Sequence, residues 1–327
     1  MRQPLLIAIL TTGIAPLSAQ DFNQYYPEAA GQLIERDYYT LSYNEEHEQA
    51  DWVAYWITPD LLYKKTERKD SFKTDPLITT GSATDDDYKN SGYQRGHLLP
   101  CRHMQFDCQA MSETFYFSNI SPQNEEMNEQ FMSDLERIER NWVEEHGALF
   151  IITGPIFGEN PQKIGENEVS VPEAFFKIYV TPDLVSPTAL GMIIPNEEIP
   201  DTSFSVYYRR IDHIESETGI DFFTSCDGET EARLDTILDP EQWVPNRSDL
   251  DHIYIRKSLN CEADKDLGRK VCINSAETWE LETLPQIGHV KALRIVEARP
   301  FKKVEHLKKV SGIGPATYAK LKDLISL

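Results

Sequence analysis

Four side chains in one short stretch, His97, Asn128, Glu136 and Arg140, carry the chemistry that hydrolysis of a phosphodiester needs. Such a reaction requires a nucleophilic water, charge compensation at the phosphoryl oxygens and help for the leaving oxygen. An imidazole with a near-neutral pKa can take the water's proton, worth roughly 10²–10⁴ in rate, and His97 is the candidate. A divalent cation can neutralise the phosphate. Mg²⁺ keeps several of its waters, so one side-chain carbonyl such as that of Asn128 suffices when phosphate oxygens complete the shell. A guanidinium grips phosphate bidentately, a role open to Arg95 or Arg140. Singly, each residue has a plainer reading: a loop histidine beside glycine, an asparagine cap, a surface Glu-Arg pair.

The elements that must position these residues follow from periodicity. Met127, Phe131, Leu135, Ile138 and Trp142 recur at steps of three and four, which predicts a helix over 127–143 with one buried stripe. Asn128, Glu136 and Arg140 fall on an adjoining face, where Glu136 can orient Arg140 or a water of the cation's shell. Gly147 is the expected stop. Trp52–Ile57, Ala148–Thr153, Val171–Val180 and Ala189–Asn196 read as strands, and 211–220 as a short amphipathic helix. The charged segment Lys64–Asn90, with Asp85-Asp86-Asp87, reads as a solvated loop.

The stretch Ser91–Arg140 resembles the DNA/RNA non-specific endonuclease, or ββα-metal nuclease, family. The likeness rests on Gln94-Arg95-Gly96-His97, on Asn119-Ile120-Ser121-Pro122-Gln123, and on Asn128, Glu136 and Arg140. It extends over roughly 51–223. The family signature is Asp-Arg-Gly-His, and Gln94 stands in the Asp position. The resemblance implies an α+β fold with a central antiparallel sheet and a ββα finger. It implies His97 as general base, Asn128 as ligand of Mg²⁺ (or Mn²⁺), Glu136 acting on water of the metal shell and Arg140 on phosphate. Asn119 and Gln123 would support the site, and Arg68 is the match for an upstream assisting arginine. The implied substrates are DNA and RNA, cut to 5′-phosphate products. Gln94 keeps hydrogen-bonding capacity but no charge, so restoring Asp there is expected to alter rate or metal dependence.

Composition sets the surroundings. The 327 residues, 40% hydrophobic and 26% charged, describe a globular chain of two domains. Arg2, an apolar run from Leu5 to Leu17 and Ser18-Ala19 read as a secretory signal cleaved after Ala19, which makes the protein secreted or periplasmic. The run is too short to span a membrane, and no membrane insertion is expected. Export permits disulfides. Cys101 with Cys108 and Cys261 with Cys272 are the local pairings, leaving Cys226 odd. A homodimer and a protein inhibitor are left open.

The formal charge of −22 opposes binding to a polyanion, but its distribution is uneven. Residues 274–327 hold nine Lys and Arg against six Asp and Glu, hence +3, leaving −25 for the rest. Residues 226–272 read as an acidic linker. The tail, 273–327, carries Leu284-Pro285-Gln286-Ile287-Gly288-His289 and Val310-Ser311-Gly312-Ile313-Gly314-Pro315. These units are similar to the tandem helix-hairpin-helix of competence-type DNA receptors, expected as a small all-α domain. A glycine turn there aims helix N–H groups at a backbone phosphate without reading bases. Gly288, Gly312 and Gly314 are the turn residues, with Lys302 and Lys303 adding charge. Gln286 replaces a glycine in the first unit, so the second is expected to bind better.

Overall fold

The structure is a computed structural model, and it describes residues 24–181, 186–199, 204–243, 255–259, 270–276, 281, 284–287, 289–322 and 324–327. The signal-peptide reading, Cys261 and Gly288 lie outside the described residues.

Seven strands form one antiparallel sheet. In chain order they are β1 (Gln32–Glu35), β2 (Tyr39–Asn44), β3 (Gln49–Ile57), β7 (Leu149–Ile156), β10 (Ala174–Val180), β11 (Ala189–Pro195) and β12 (Tyr208–Arg209), and they lie side by side in that order. The central strands are mostly apolar because both their faces are covered. All eight residues of β7 are buried, as are Phe175 through Val180 of β10.

Between β3 and β7 the chain lays down the short strand β4 (Lys64–Thr66), the one-turn helix α1 (Asp85–Tyr88), strand β5 (Gln94–His97), helix α2 (Cys108–Glu113) and strand β6 (Ile120–Gln123). A π-helical turn, Met127–Met132, then runs into helix α3 (Ser133–His146). Strands β5 and β6 pair antiparallel, with His97 opposite Ile120 and Gln94 opposite Gln123. With α3 they make the expected ββα finger. Leu135, Ile138, Trp142 and Val143 bury the stripe that the periodicity marks, and Gly147 ends the helix at φ +79°. On the sheet face opposite to α3 sits helix α4 (Ile211–Thr218), whose Ile211 and Ile214 reach Gly191 of β11. Strands β8 (Lys163–Ile164) and β9 (Val169–Ser170) form a small hairpin behind the finger.

Three expectations need correction. The segment 226–272 is not all linker. Helix α5 (Gly228–Thr236) and the turn Pro240–Trp243 pack on the main core, where Trp243 lies edge-on to Trp142 at 5.2 Å. Strand β13 (Ile255–Leu259) pairs parallel with β4. Neither local disulfide forms: Cys101 and Cys272 are free thiols, as is Cys226, while Cys108 is disulfide-bonded. Cys101 is drawn into the main core by the turn after Pro100, away from any bridge. Lys64–Asn90 is also less solvated than its charge implies, because Asp87 is buried, capping Thr84 and the Asn167 turn.

The tail has its own core, built from Ile273, Leu284, Ile287, Ile295, Leu307, Ile313 and Leu321 among others. Helix α6 (His289–Glu297) comes after a turn at Pro285-Gln286, and helix α7 (Pro315–Leu321) after a turn at Ser311-Gly312. The domain is not wholly helical, because strands β14 (Val271–Cys272) and β15 (Ile325–Ser326) tie its ends in a short parallel pair.

Candidate active site

The finger places His97 at the end of β5, and its backbone is locked from behind. Asn119 is buried; its Oδ1 accepts from Leu99 N at 2.9 Å and its Nδ2 donates to Leu99 O and Thr114 O. Asn119 therefore staples the two residues after His97 to the adjoining turn. Gly96 lets the finger close, since a Cβ there would stand 2.0 Å from Gln123 Cδ. The Gln123 amide is buried over it with neither polar atom bonded to protein.

The His97 ring sits between Phe115, edge-on at 4.8 Å, and Phe72 at 5.6 Å. Burial first, and then the Arg68 charge, push its pKa down to about 3. It is a neutral imidazole at physiological pH, and its Nε2 has no protein partner. This is the state a proton acceptor requires.

His97 opens on a cleft of about 400 Å³, which Arg68, Gln94, Arg95, Arg102, Asn128, Glu129, Glu136 and Lys177 also line. Asn128, on the π-helical turn, gives its amide nitrogen to Gln94 Oε1 at 2.8 Å. Its own oxygen is thereby turned away from Gln94. Among the described residues no group of three or more His, Cys, Asp and Glu can hold a metal. A single amide oxygen is nonetheless enough for a cation that keeps its waters and takes phosphate oxygens, so the donor set fits Mg²⁺. Glu136 faces the same cleft, with a carboxyl that burial, and then the Glu139 charge, push up to about 7. Beneath it Glu139 is buried against β10, accepting from Lys177 Nζ at 2.6 Å and Tyr179 Oη at 2.7 Å.

The chain matches the model of the DNA/RNA non-specific endonuclease family over residues 18–229. It belongs to that family. A second match, to the helix-hairpin-helix motif, covers 268–326. The mitochondrial nuclease EXOG of Mus musculus is 30% identical over 225 residues, covering 64% of this chain and 61% of that protein. Nuclease C1 of Cunninghamella echinulata is 32% identical, covering 62% of this chain and 87% of that one. The crystal structure of an EndoG/EndoGI complex shares the fold at TM-score 0.60 and 26% identity, over 66% of this chain and 96% of that chain. The chain spans between 58% and 66% of the length of the EXOG proteins it matches.

Of the residues the family motif points to, the structure brings His97, Arg68, Arg95, Gln94, Asn128 and Glu136 to one cleft. Two arginines are already engaged there. Arg68 pairs with Asp70 at 2.6 Å, while Arg95 pairs with Asp85 and stacks on Phe72 at 4.1 Å. Arg140 is different. It is half-buried one turn beyond Glu136, does not line the cleft, makes no hydrogen bond with Glu136, and leaves Nη1 without a partner. The expected Glu136–Arg140 pair is thus replaced by charge proximity alone. Sequence reasoning missed Arg102, an exposed guanidinium that the turn after Pro100 carries into the cleft, and Lys177, which only the sheet register places under α3.

In the tail, Gly312 adopts φ +85° and Gly314 caps α7, both exposed. Lys302 and Lys303 are exposed on the approach to the second hairpin. Gln286 takes the left-handed φ of +65° that glycine would adopt freely, so the first turn forms at some backbone cost.

Proposed function

We propose that this chain is an exported, Mg²⁺-dependent endonuclease that hydrolyses DNA and RNA without sugar preference, leaving 5′-phosphates, with its tail holding duplex DNA. One observation carries the reading: a neutral imidazole with a free Nε2 and an asparagine oxygen turned off its neighbour share a cleft with three arginines. His97 accepts the proton of the attacking water; being neutral, it has no proton to lose first. Arg68, Arg95 and Arg102 bind the phosphate, the first two by exchanging Asp70 and Asp85 for phosphate oxygens. Glu136, ionised above about pH 7, orients water at the cleft floor. Asn128 would hold the cation, whose chemistry when bound is charge neutralisation at phosphate and support of the leaving oxygen. Export draws on the apolar run 5–17 and on the disulfide at Cys108, which suits an oxidising compartment.

Plasmid and RNA cleavage by the mature protein, with Mg²⁺, with EDTA and with His97→Ala, tests this reading. Metal-dependent cutting that falls by a factor of roughly 10³ or more in the variant is the expected result. A folded protein that binds DNA but cuts neither substrate would leave a DNA-capture role instead.

A further inference from the structure

The hydrogen bonds on the outer side of Asn128 run in one direction. Asn128 Nδ2 donates to Gln94 Oε1, and Gln94 Nε2 donates in turn to Glu129 Oε1 at 2.8 Å and Glu125 Oε1 at 3.2 Å. A primary amide has a donor end and an acceptor end of nearly equal shape. An Asn–Gln pair on its own therefore makes the same contact in two orientations. In one, Gln94 presents its oxygen and the Asn128 oxygen is left for the cleft. In the other, Gln94 presents its nitrogen, takes up the Asn128 oxygen and leaves an NH₂ group facing the cleft. A hard cation binds only the first, since it coordinates oxygen lone pairs.

A carboxylate removes the ambiguity because it can only accept. Glu129 and Glu125 lie four residues apart around the π-helical turn, so both reach the same Gln94 NH₂ group. Holding that NH₂ forces the Gln94 oxygen toward Asn128, and the Asn128 oxygen toward the cleft. We propose that Glu129, backed by Glu125, is a positioning residue that acts through Gln94 to fix which end of the Asn128 amide meets the cation. The glutamates also explain why an amide stands at position 94. An aspartate there would set a third carboxylate against two others and repel both.

The inference rests on Asn128 as the cation's ligand, and the test separates the two. Mn²⁺ alone, titrated into metal-free full-length protein and followed by calorimetry and by the electron spin resonance of free Mn²⁺, reads affinity without turnover. Thermal melts confirm that each variant is folded. Removing both carboxylates, Glu125→Ala with Glu129→Ala, is expected to weaken Mn²⁺ binding roughly 10-fold, the scale of other outer-shell partners. Gln94→Ala is expected to cost as much, and the triple variant no more than Gln94→Ala alone, since the carboxylates act only through the amide. Additive losses would show that the glutamates attract the cation directly, and wild-type affinity without them would remove any role; either overturns the proposal. If Asn128→Ala binds Mn²⁺ as the wild type does, the ligand assignment itself is overturned, and this inference with it.

Discussion

At the scale of single residues, Glu136 shows how burial sets chemistry. Burial and the Glu139 charge lift its carboxyl from an ordinary 4.5 to about 7. A carboxyl raised in the folded state contributes stability below its unfolded pKa, and loses it as pH rises through the folded one. In metal-free protein, Glu136→Gln is therefore expected to match the wild type at pH 4. At pH 8 it should exceed it by on the order of 1 kcal/mol, after allowance for partial solvent screening. Melting curves at the two pH values in EDTA read the difference, and an equal shift at both would refute the assignment. His97, Asn128 and Glu136 could be named from the sequence because they stand at the positions of the family motif. Arg102 and Glu129 were not. Their places depend on a tight turn after Pro100 and on a hydrogen bond that crosses from β5 to the helix, and neither has a periodicity to read.

At the scale of elements, α3 and β10 are joined by an ion pair inside the core. Glu139 is wholly buried, Lys177 is 3% exposed, and their contact is 2.6 Å. Burial alone would raise the Glu139 carboxyl, but Lys177 and its other partners hold it below the usual range. Truncating Glu139 to Ala strands a buried ammonium, at an expected cost of about 3–5 kcal/mol. Replacing both partners with Leu and Met is expected to recover most of that in denaturant titrations. If the single variant unfolds at the same denaturant concentration as the wild type, the pair does not brace the finger. The helix was legible from its apolar stripe, but its first turn was not. Eight residues of regular α-helix would leave Asn128 and Glu136 about 80° apart. The wider π-helical turn advances less per residue and draws them toward one face. Periodicity at 3.6 hides such a turn.

At the scale of the whole molecule, a strongly acidic body carries a mildly basic tail with its own core. Deleting residues after 270 is expected to weaken binding to long duplex DNA roughly tenfold or more while leaving cleavage of short oligonucleotides nearly unchanged. Equal loss on both substrates would argue against a tethering role. The two-part organisation was legible from composition and the glycine turns. The docking of 228–243 on the body was not, because an acidic, turn-rich stretch gives no sign that Trp243 will find Trp142. Nor could cysteine spacing reveal that Cys101 packs in the core while Cys108 is bridged elsewhere.

The Asp70–Arg68 and Asp85–Arg95 pairs mean that the cleft brings its own counterions. When phosphate enters, each displaced carboxylate stays tethered beside the contact and can keep the cation that the phosphate gives up, so those contacts release little net ion to the bulk. The salt sensitivity of DNA binding, which scales with released ions, should then fall mainly to Arg102 and the tail. With the tail removed, a plot of log affinity against log salt is expected to be shallow, well below what the number of arginines in the cleft would suggest. With Asp70→Asn and Asp85→Asn it should steepen.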